Sequence, residues 1–383
     1  MKHGQAIRQY LSFGFVPDVG LASAYLSDLF GNPHVPGTAD PSKLLVDIVE
    51  YCTAGASEVA IPLSGGRDSR AILGAALEIF PARHIHCVTF GSRGSADVEG
   101  ARAVCRTATV PHRIVDPDTV AWDLDSLRHD MQRRIAEQIG IPPIDGLHIF
   151  RALADLIPVE MPVLSGYLGI VAAGKHLGGI PDDDHESVVT RFLEQNRGVI
   201  EDRDRSLFTD FLHSHEPLRQ KWPGLTNFDL LDFGFRQRLR IRSSVTGSFA
   251  KAIRVFEHHR WIGHWFSRPV AERVNFGKYD ERLAVAFPLV FGRLPLGSRI
   301  RRWRARVRGR GAYRGDPRRN SSMAHALKEA CRAFDGRALG FGQSATAAFE
   351  RLMNRPSPEA FRTVRWFATA ELVAGVQDAP SLE

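Results

Sequence analysis

The sequence has few cysteines and no long apolar run. Its four cysteines lie far apart and form no CxxC pair (Cys52, Cys87, Cys105 and Cys331). Neither a disulfide framework nor a zinc site is therefore expected. No apolar stretch approaches the ~20 residues that span a bilayer, and the first residues lack the apolar core of a secretory signal. We expect a cytoplasmic protein without a membrane span.

Positive charge is concentrated in one segment. Residues 299–319 contain ten arginines and a single aspartate, a charge of +9, whereas the whole chain carries +7 and the remainder therefore −2. A nucleic-acid-binding fold usually spreads its basic residues over a face, so nucleic acid is not favoured as a partner. Three interpretations of this segment stay open: a solvated loop, a lid over phosphates or an anionic substrate, and a contact for nucleic acid, anionic lipid or an acidic partner.

Four short apolar segments predict strands, and helical patterns separate them. They occupy residues 58–63, 85–90, 112–115 and 162–164. This alternation is typical of a doubly wound, mainly parallel α/β sheet covered by helices. The patterns over residues 6–30 and 121–157 predict continuous helical stretches, and strand signals stop after about residue 185. We therefore predict a helical lead-in at 1–54, an α/β nucleotide-binding domain at 55–185 and a helical region at 186–383.

The first predicted strand runs into a glycine turn, Leu63-Ser64-Gly65-Gly66-Arg67-Asp68-Ser69. Two glycines let the backbone turn sharply and approach a ligand closely. A helix that begins at about Ser69 directs the positive end of its dipole into the turn, and Ser64 and Ser69 add hydroxyl donors. The pattern predicts a phosphate-binding loop; a strand–turn–helix with a capping side chain is the alternative. No GxxxxGK[ST] string occurs, which excludes a Walker-type loop.

Asp68 does not suit a bare phosphate site, because its carboxylate would repel the anion. It suits a site in which Mg²⁺ is bound to the phosphates, since this ion prefers oxygen ligands and often uses one or two carboxylates. We therefore predict Asp68 as a magnesium ligand and a catalytic residue.

The string SGGRDS resembles the pyrophosphate-binding signature SGGxDS of the ATP pyrophosphatase, or PP-loop, superfamily. Its surroundings resemble the synthetase domain of the asparagine synthetases, in the family's order and from about residue 6 to about residue 295. The similar segments lie at residues 8–17, 88–92, 95–99, 164–169 and 253–269. The resemblance implies an adenine nucleotide alpha hydrolase-like fold, with ATP and Mg²⁺ as cofactors.

The resemblance also implies a reaction, that of an AMP-forming C–N ligase. A substrate carboxylate attacks the α-phosphate of ATP, and an amine, often ammonia, then displaces AMP from the acyl carbon. Pyrophosphate is expected on Ser64, Gly65, Gly66 and Ser69. The base and ribose are expected at the carboxyl ends of the strands, near Leu63, Thr89, Phe90, Ser165 and Gly166.

Two departures from the family concern nitrogen supply and the metal. The sequence has no N-terminal cysteine and no β-rich stretch before Tyr10, so the glutamine-hydrolysing domain is expected to be missing. Free ammonia or another amine, or a separate ammonia-supplying or biosynthetic partner protein, then provides the nucleophile. In the SGxxGD loop Ile170 replaces the second acid, and isoleucine cannot coordinate Mg²⁺. Residues 182–184 are acidic but are interpreted as a solvated loop.

The remaining catalytic candidates are less specific. The family's late lysine has two candidate counterparts, Lys278 and Arg299, and a plain surface role for Lys278 is the alternative. Glu257 lies in a region where the family places acids near the active site, so we predict that it helps to deprotonate the amine. Two other functions stay open: a non-catalytic nucleotide-binding protein, favoured by Ile170, and a PP-loop RNA-modifying enzyme, which the lack of cysteine pairs disfavours.

Overall fold

Five short parallel strands form a single sheet in the computed structural model, which describes residues 3–31, 40–177, 184–199, 205–245, 247–274, 277–292, 321–334 and 345–377. The spatial order of the strands is β3-β2-β1-β4-β5. Their bounds are β1 Val59–Pro62, β2 Ile85–Phe90, β3 His112–Val115, β4 Val163–Leu164 and β5 Ala252–Ile253.

Helices cover both faces of this sheet. Val59 and Ile61 of β1 pack in the core that contains the helices after β1 and β2, whereas Ala60 packs on the other face with Leu153. Successive side chains of a strand point to opposite faces, and both faces of β1 are buried. The predicted doubly wound, mainly parallel α/β fold with a helical C-terminal part is therefore confirmed.

The helices up to β4 are mostly two to four turns long, and several of them begin with a side chain that caps the first turn. Asp18, Asp40 and Ser95 accept hydrogen bonds from first-turn amides of their helices. These helices are α1 His3–Phe13, α2 Val19–Phe30, α3 Pro41–Cys52, α4 Arg67–Leu77, α5 Ala96–Ala108, α6 Leu124–Ala136 and α7 Ile144–Ala154.

The chain after β4 is largely helical. It contains α8 Gly169–Ala172, α9 His185–Gln195, α10 Ser206–Lys221, α11 Asn227–Leu231, a π-helix at Asp232–Ile241, α12 Arg242–Val245, α13 His259–Phe266, α14 Val270–Val274, α15 Gly277–Ala286, α16 Pro288–Phe291, α17 Ser321–Ala333, α18 Ala345–Asn354 and α19 Pro358–Gln377. Helices α17, α18 and α19 share a second core with α1, α6 and α7. Among the helices that the structure describes, none is both long enough and apolar enough to cross a bilayer.

The four predicted strands are confirmed, but three other expectations are wrong. Strands do not stop before residue 186, because β5 pairs with β4; a two-residue strand carries too little pattern to be detected. The helical stretches expected over 6–30 and 121–157 are each broken into two helices. Gly14, with φ 74°, follows α1, and Gly140, with φ 118°, lies between α6 and α7. The domain boundaries at residues 54 and 185 stay a prediction.

The buried histidine His264 makes stability depend on pH. It lies in α13 with no exposed surface, and neither ring nitrogen has a hydrogen-bond partner among the described residues. Burial, helped by Arg268 and Arg282, lowers the pKa of His264 to about 4. The unfolded chain takes up this proton near pH 6.5, so stability falls as pH drops from about 6.5 to about 4.

We therefore expect the melting temperature to fall over that interval, and His264→Phe to flatten the fall. The measurement is thermal unfolding at a series of pH values, with the exposed His129→Phe as control. Equal pH slopes in wild type and His264→Phe would contradict the assignment.

Candidate functional site

A cleft of about 870 Å³ opens at the carboxyl ends of β1 and β4. The chain leaves β1 toward β2 on one side of the sheet, while β4 lies on the other side of β1. The point where the strand order reverses therefore lies between β1 and β4, and open α/β sheets bind ligands in the crevice at such a point. The other walls of the cleft include Ile149, Phe150, Leu153, Ile241, Ser244 and Val245.

Every residue that the sequence assigns to nucleotide binding lines this cleft. They are Leu63, Ser64, Gly65, Gly66, Asp68, Ser69, Thr89, Phe90, Ser165 and Gly166. Three separate segments of the chain therefore meet here, after β1, along β2 and after β4. The role of these residues in binding stays a prediction.

Two serines brace the turn between β1 and α4. The Ser64 amide donates to Ser69 Oγ at 3.2 Å, and Ser69 Oγ donates to the Ser64 carbonyl at 3.2 Å. The Gly66 amide donates to Ser64 Oγ at 3.1 Å. Gly66 has an extended backbone and α4 begins at the next residue, so the positive end of the helix dipole lies at the turn. Its own hydrogen bonds thus hold the loop in place at the N-terminus of α4, a kind of position where proteins commonly bind anions.

Gly65 and Gly166 lie where a neighbouring backbone segment passes too close to leave room for a side chain. A Cβ on Gly65 would lie 3.3 Å from the Ala96 carbonyl oxygen and 3.3 Å from the Cα of Gly100, both in α5. A Cβ on Gly166 would lie 3.0 Å from the amide nitrogen of Ser69. A side chain at either position would push apart the segments that form the floor of the cleft.

Asp68 faces the loop after β4. It lies in the first turn of α4 and is partly buried. A Cβ on Gly169 would lie 2.8 Å from Asp68 Cγ and 2.9 Å from its Oδ1. The turn that brings Gly169 there begins at Leu168, whose φ of 76° is unusual for a residue with a side chain. Asp68 therefore lies beside the segment that contains Ile170.

Thr89 of β2 links the end of β1 on one side to β3 on the other. Its hydroxyl donates to the Leu63 carbonyl at 2.6 Å, and His112 Nε2 lies 2.8 Å from the same oxygen. Since the only hydroxyl proton is donated to Leu63, Nε2 of His112 must carry a proton and donate it to Thr89. Burial, with Arg102 nearby, lowers the pKa of His112 to about 4. No local sequence pattern identifies this histidine, because its partner in the fold is 23 residues away.

Glu257 does not line the cleft. Its Oε1 accepts from the Tyr25 hydroxyl at 2.8 Å and from Arg242 Nε at 2.8 Å. Its Oε2 accepts from Arg254 Nε. Both carboxylate oxygens are thus engaged by protein donors, two of them guanidinium groups. The predicted role of Glu257 in deprotonating an amine stays a prediction.

Two tyrosines connect Glu257 to the cleft. The hydroxyls of Tyr25 and Tyr167 lie 3.4 Å apart, and Tyr167 lines the cleft. Burial raises the pKa of both phenols well above the usual value, and the Glu257 charge adds to this effect. Both phenols are therefore neutral, and they connect Glu257 to the cleft.

Several predicted features lie outside the described residues. These are Arg299, the segment 299–319, Asp182 and Asp183. The backbone of Lys278 is in the first turn of α15 and that of Ile170 is in α8, but their side chains are not among the described ones.

The acids of the cleft fit a metal bound to phosphates rather than a metal held by protein alone. Asp68 and Asp97 line it, and no group of three or more His, Cys, Asp or Glu that could hold a metal occurs in the described part of the chain. Mg²⁺ commonly takes one or two carboxylates together with phosphate oxygens and water. Asp184 is exposed and caps α9 instead, accepting from the Ser187 amide at 2.9 Å.

Three cationic side chains also line the cleft: Arg67, Arg70 and Lys175. Arg70 is held in place, since it donates to the Gly66 carbonyl at 3.0 Å and stacks on Phe291. Lys175 was not predicted from the sequence. Its position could have indicated it, because it follows the loop after an apolar strand, where ligand-binding side chains gather in such folds.

A family model, asparagine synthase, matches residues 42–144. The match covers β1 to β3, the turn with Asp68 and the region up to the start of α7. This part of the chain is therefore similar to an asparagine synthetase-like synthetase domain, as the motifs predicted, and no N-terminal glutaminase domain is detected. No curated protein matches the chain.

Proposed function

We propose that the protein is an AMP-forming C–N ligase that activates a substrate carboxylate with ATP and joins it to ammonia or an amine. The supporting observation is that the SGGRDS turn and the loop after β4 meet around Asp68 in one cleft at the strand-order reversal. The match to asparagine synthase over residues 42–144 supports ATP-dependent amide formation in general.

In the first step the substrate carboxylate oxygen bonds to the α-phosphorus of ATP, and the bond from this phosphorus to pyrophosphate breaks. The turn holds the leaving pyrophosphate through the hydroxyls of Ser64 and Ser69 and the N-terminus of α4. When bound, Mg²⁺ neutralises phosphate charge. Asp68 is the residue that would hold it, with Asp97 lining the same cleft.

In the second step the amine nitrogen bonds to the acyl carbon, and the bond to AMP breaks. The nitrogen then loses a proton, which passes to a base or to water. Neutral Tyr167 lies in the cleft wall and can accept or donate a hydrogen bond there. Glu257, held by Arg242 and Arg254, accepts from the Tyr25 hydroxyl, which lies 3.4 Å from the Tyr167 hydroxyl.

The test is ATP–pyrophosphate exchange with a pool of carboxylic acids. We expect labelled pyrophosphate to enter ATP only when the right acid is present, because the first step is reversible. Exchange with RNA and not with any acid would support an RNA-modifying enzyme instead. ATP binding without exchange in any pool would identify a non-catalytic nucleotide-binding protein.

The nitrogen source provides a separate prediction. We expect ammonium or a primary amine to support amide formation by the purified chain, and glutamine not to, because no glutaminase domain is detected. Amide and AMP are measured with each donor at equal concentration. If a separate partner protein supplies ammonia, adding it should make glutamine effective. Glutamate release from glutamine by the purified chain alone would contradict the prediction.

A further inference from the structure

We infer that Lys175 is a binding residue for the leaving pyrophosphate, contacting its oxygens directly from the β4 side of the cleft. This inference rests on the proposed function and adds to it a residue that neither the turn nor the family match provides. The residues 42–144 covered by the match end well before Lys175.

The side chain of Lys175 is available for an anion. It lines the cleft together with Asp68 and Ser69 and is exposed. Within the described part of the chain it forms neither a hydrogen bond nor an ion pair. Arg70, in contrast, already donates to the carbonyls of Gly66 and Val290. Lys175 can thus turn toward a ligand without giving up a protein partner.

The backbone on the N-terminal side of Lys175 is anchored. Gly174 has φ 85°, and a Cβ there would lie 2.7 Å from the carbonyl oxygen of Arg273. Arg273 is fully buried and donates through Nε to the Ala172 carbonyl at 3.0 Å. Asp229 pairs with the same guanidinium at 2.8 and 3.0 Å. A buried ion pair therefore fixes the last turn before Lys175.

The backbone on the C-terminal side of Lys175 is also anchored, in part by Asp229 of the same buried ion pair. His176 Nε2 lies 2.7 Å from Asp229 Oδ1. Arg191 donates to the carbonyls of His176 and Leu177 at 3.0 and 2.9 Å. An exposed lysine of no function needs no such support, whereas a ligand-binding side chain gains affinity from a backbone that is already in place.

The charges around the cleft also favour a role for Lys175 in binding pyrophosphate. Lys175 brings a positive charge to the cleft five residues after Ile170. Pyrophosphate needs positive charge on the β4 side because Asp68 lies there. An ammonium group placed directly on the phosphate oxygens supplies that charge without a second metal ligand.

The experiment is calorimetric titration of inorganic pyrophosphate, and separately of ATP, into the full chain with magnesium and with a chelator. The variants are Lys175→Met, Lys175→Arg and, as matched control, Lys328→Met, which removes an exposed lysine of α17. We expect Lys175→Met to raise the Kd for pyrophosphate about tenfold, as when a charge-assisted hydrogen bond is lost. The loss should persist in chelator, Lys175→Arg should keep most of the affinity, and Lys328→Met should change nothing.

Unchanged pyrophosphate affinity in Lys175→Met, with ATP and pyrophosphate still bound by wild type, would overturn the role of Lys175 and leave the proposed function standing. A wild-type chain that binds neither compound would overturn both. Equal melting temperatures of the Lys175 variants and wild type are expected, because the side chain is exposed, and they exclude unfolding as the cause of a loss.

Discussion

Asp68→Ala should reduce AMP formation by about a hundredfold to a thousandfold, the scale seen when a preorganised electrostatic contact to the reacting group is removed. The carboxylate lies at the junction of the two loops, and the described residues contain no group of three or more His, Cys, Asp or Glu that could hold a metal. Steady-state release of AMP and pyrophosphate, measured over a range of magnesium concentrations, tests this expectation.

The fold should survive this change. Asp68 is partly exposed in the first turn of α4, where loss of an acid costs about 0.3–1 kcal/mol. Asp125→Ala is a matched control, because it removes an exposed acid from the first turn of α6. It should lower stability by a similar amount and leave turnover unchanged. Near wild-type AMP formation by Asp68→Ala would show that the metal role is wrong.

Gly65→Val should weaken ATP binding by about a hundredfold or more, about 2.7 kcal/mol. The new Cβ would lie 3.3 Å from backbone atoms of α5, and its γ-methyl groups would need still more room. Backbone cannot move aside as a flexible side chain can, so the turn must shift away from its anion-binding shape. Calorimetric titration with Mg·ATP measures the change.

Gly20→Val is the control for the general effect of replacing a glycine with valine, away from the turn. Gly20 lies in α2, and a Cβ there meets only the Asp18 side chain, at 3.4 Å. ATP affinity should be unchanged in this variant. If Gly65→Val also binds ATP like wild type, the nucleotide lies elsewhere.

The sequence predicted the parts of the site that lie within one local motif. SGGRDS follows an apolar strand and precedes a helix, so its turn could be derived from the glycines and from strand burial. The ends of parallel strands gather at one edge of a sheet, which is why Thr89, Phe90 and Ser165 were correctly expected beside Leu63. Such inferences need only strand positions and direction.

The remaining features depend on contacts between distant residues. The bond between Thr89 and His112, the Glu257 network with Tyr25, and the ion pair between Arg273 and Asp229 join residues that no spacing rule connects. The π-helix over Asp232–Ile241 was also not predicted, since π-helical turns are rare and have no sequence pattern of their own.

The position of β5 in the sheet has a consequence for biosynthesis. Residues 252–253 leave the ribosome almost 90 residues after β4. Until then β4 lacks the strand that pairs with its outer edge. The apolar face of α1, with Tyr10 and Leu11, is covered even later, because α17 to α19 pack on it and are synthesised last. Unpaired edges and uncovered apolar faces promote aggregation of incomplete chains. Folding of the nascent protein is therefore completed late, and a fragment ending at residue 185 would keep both surfaces open.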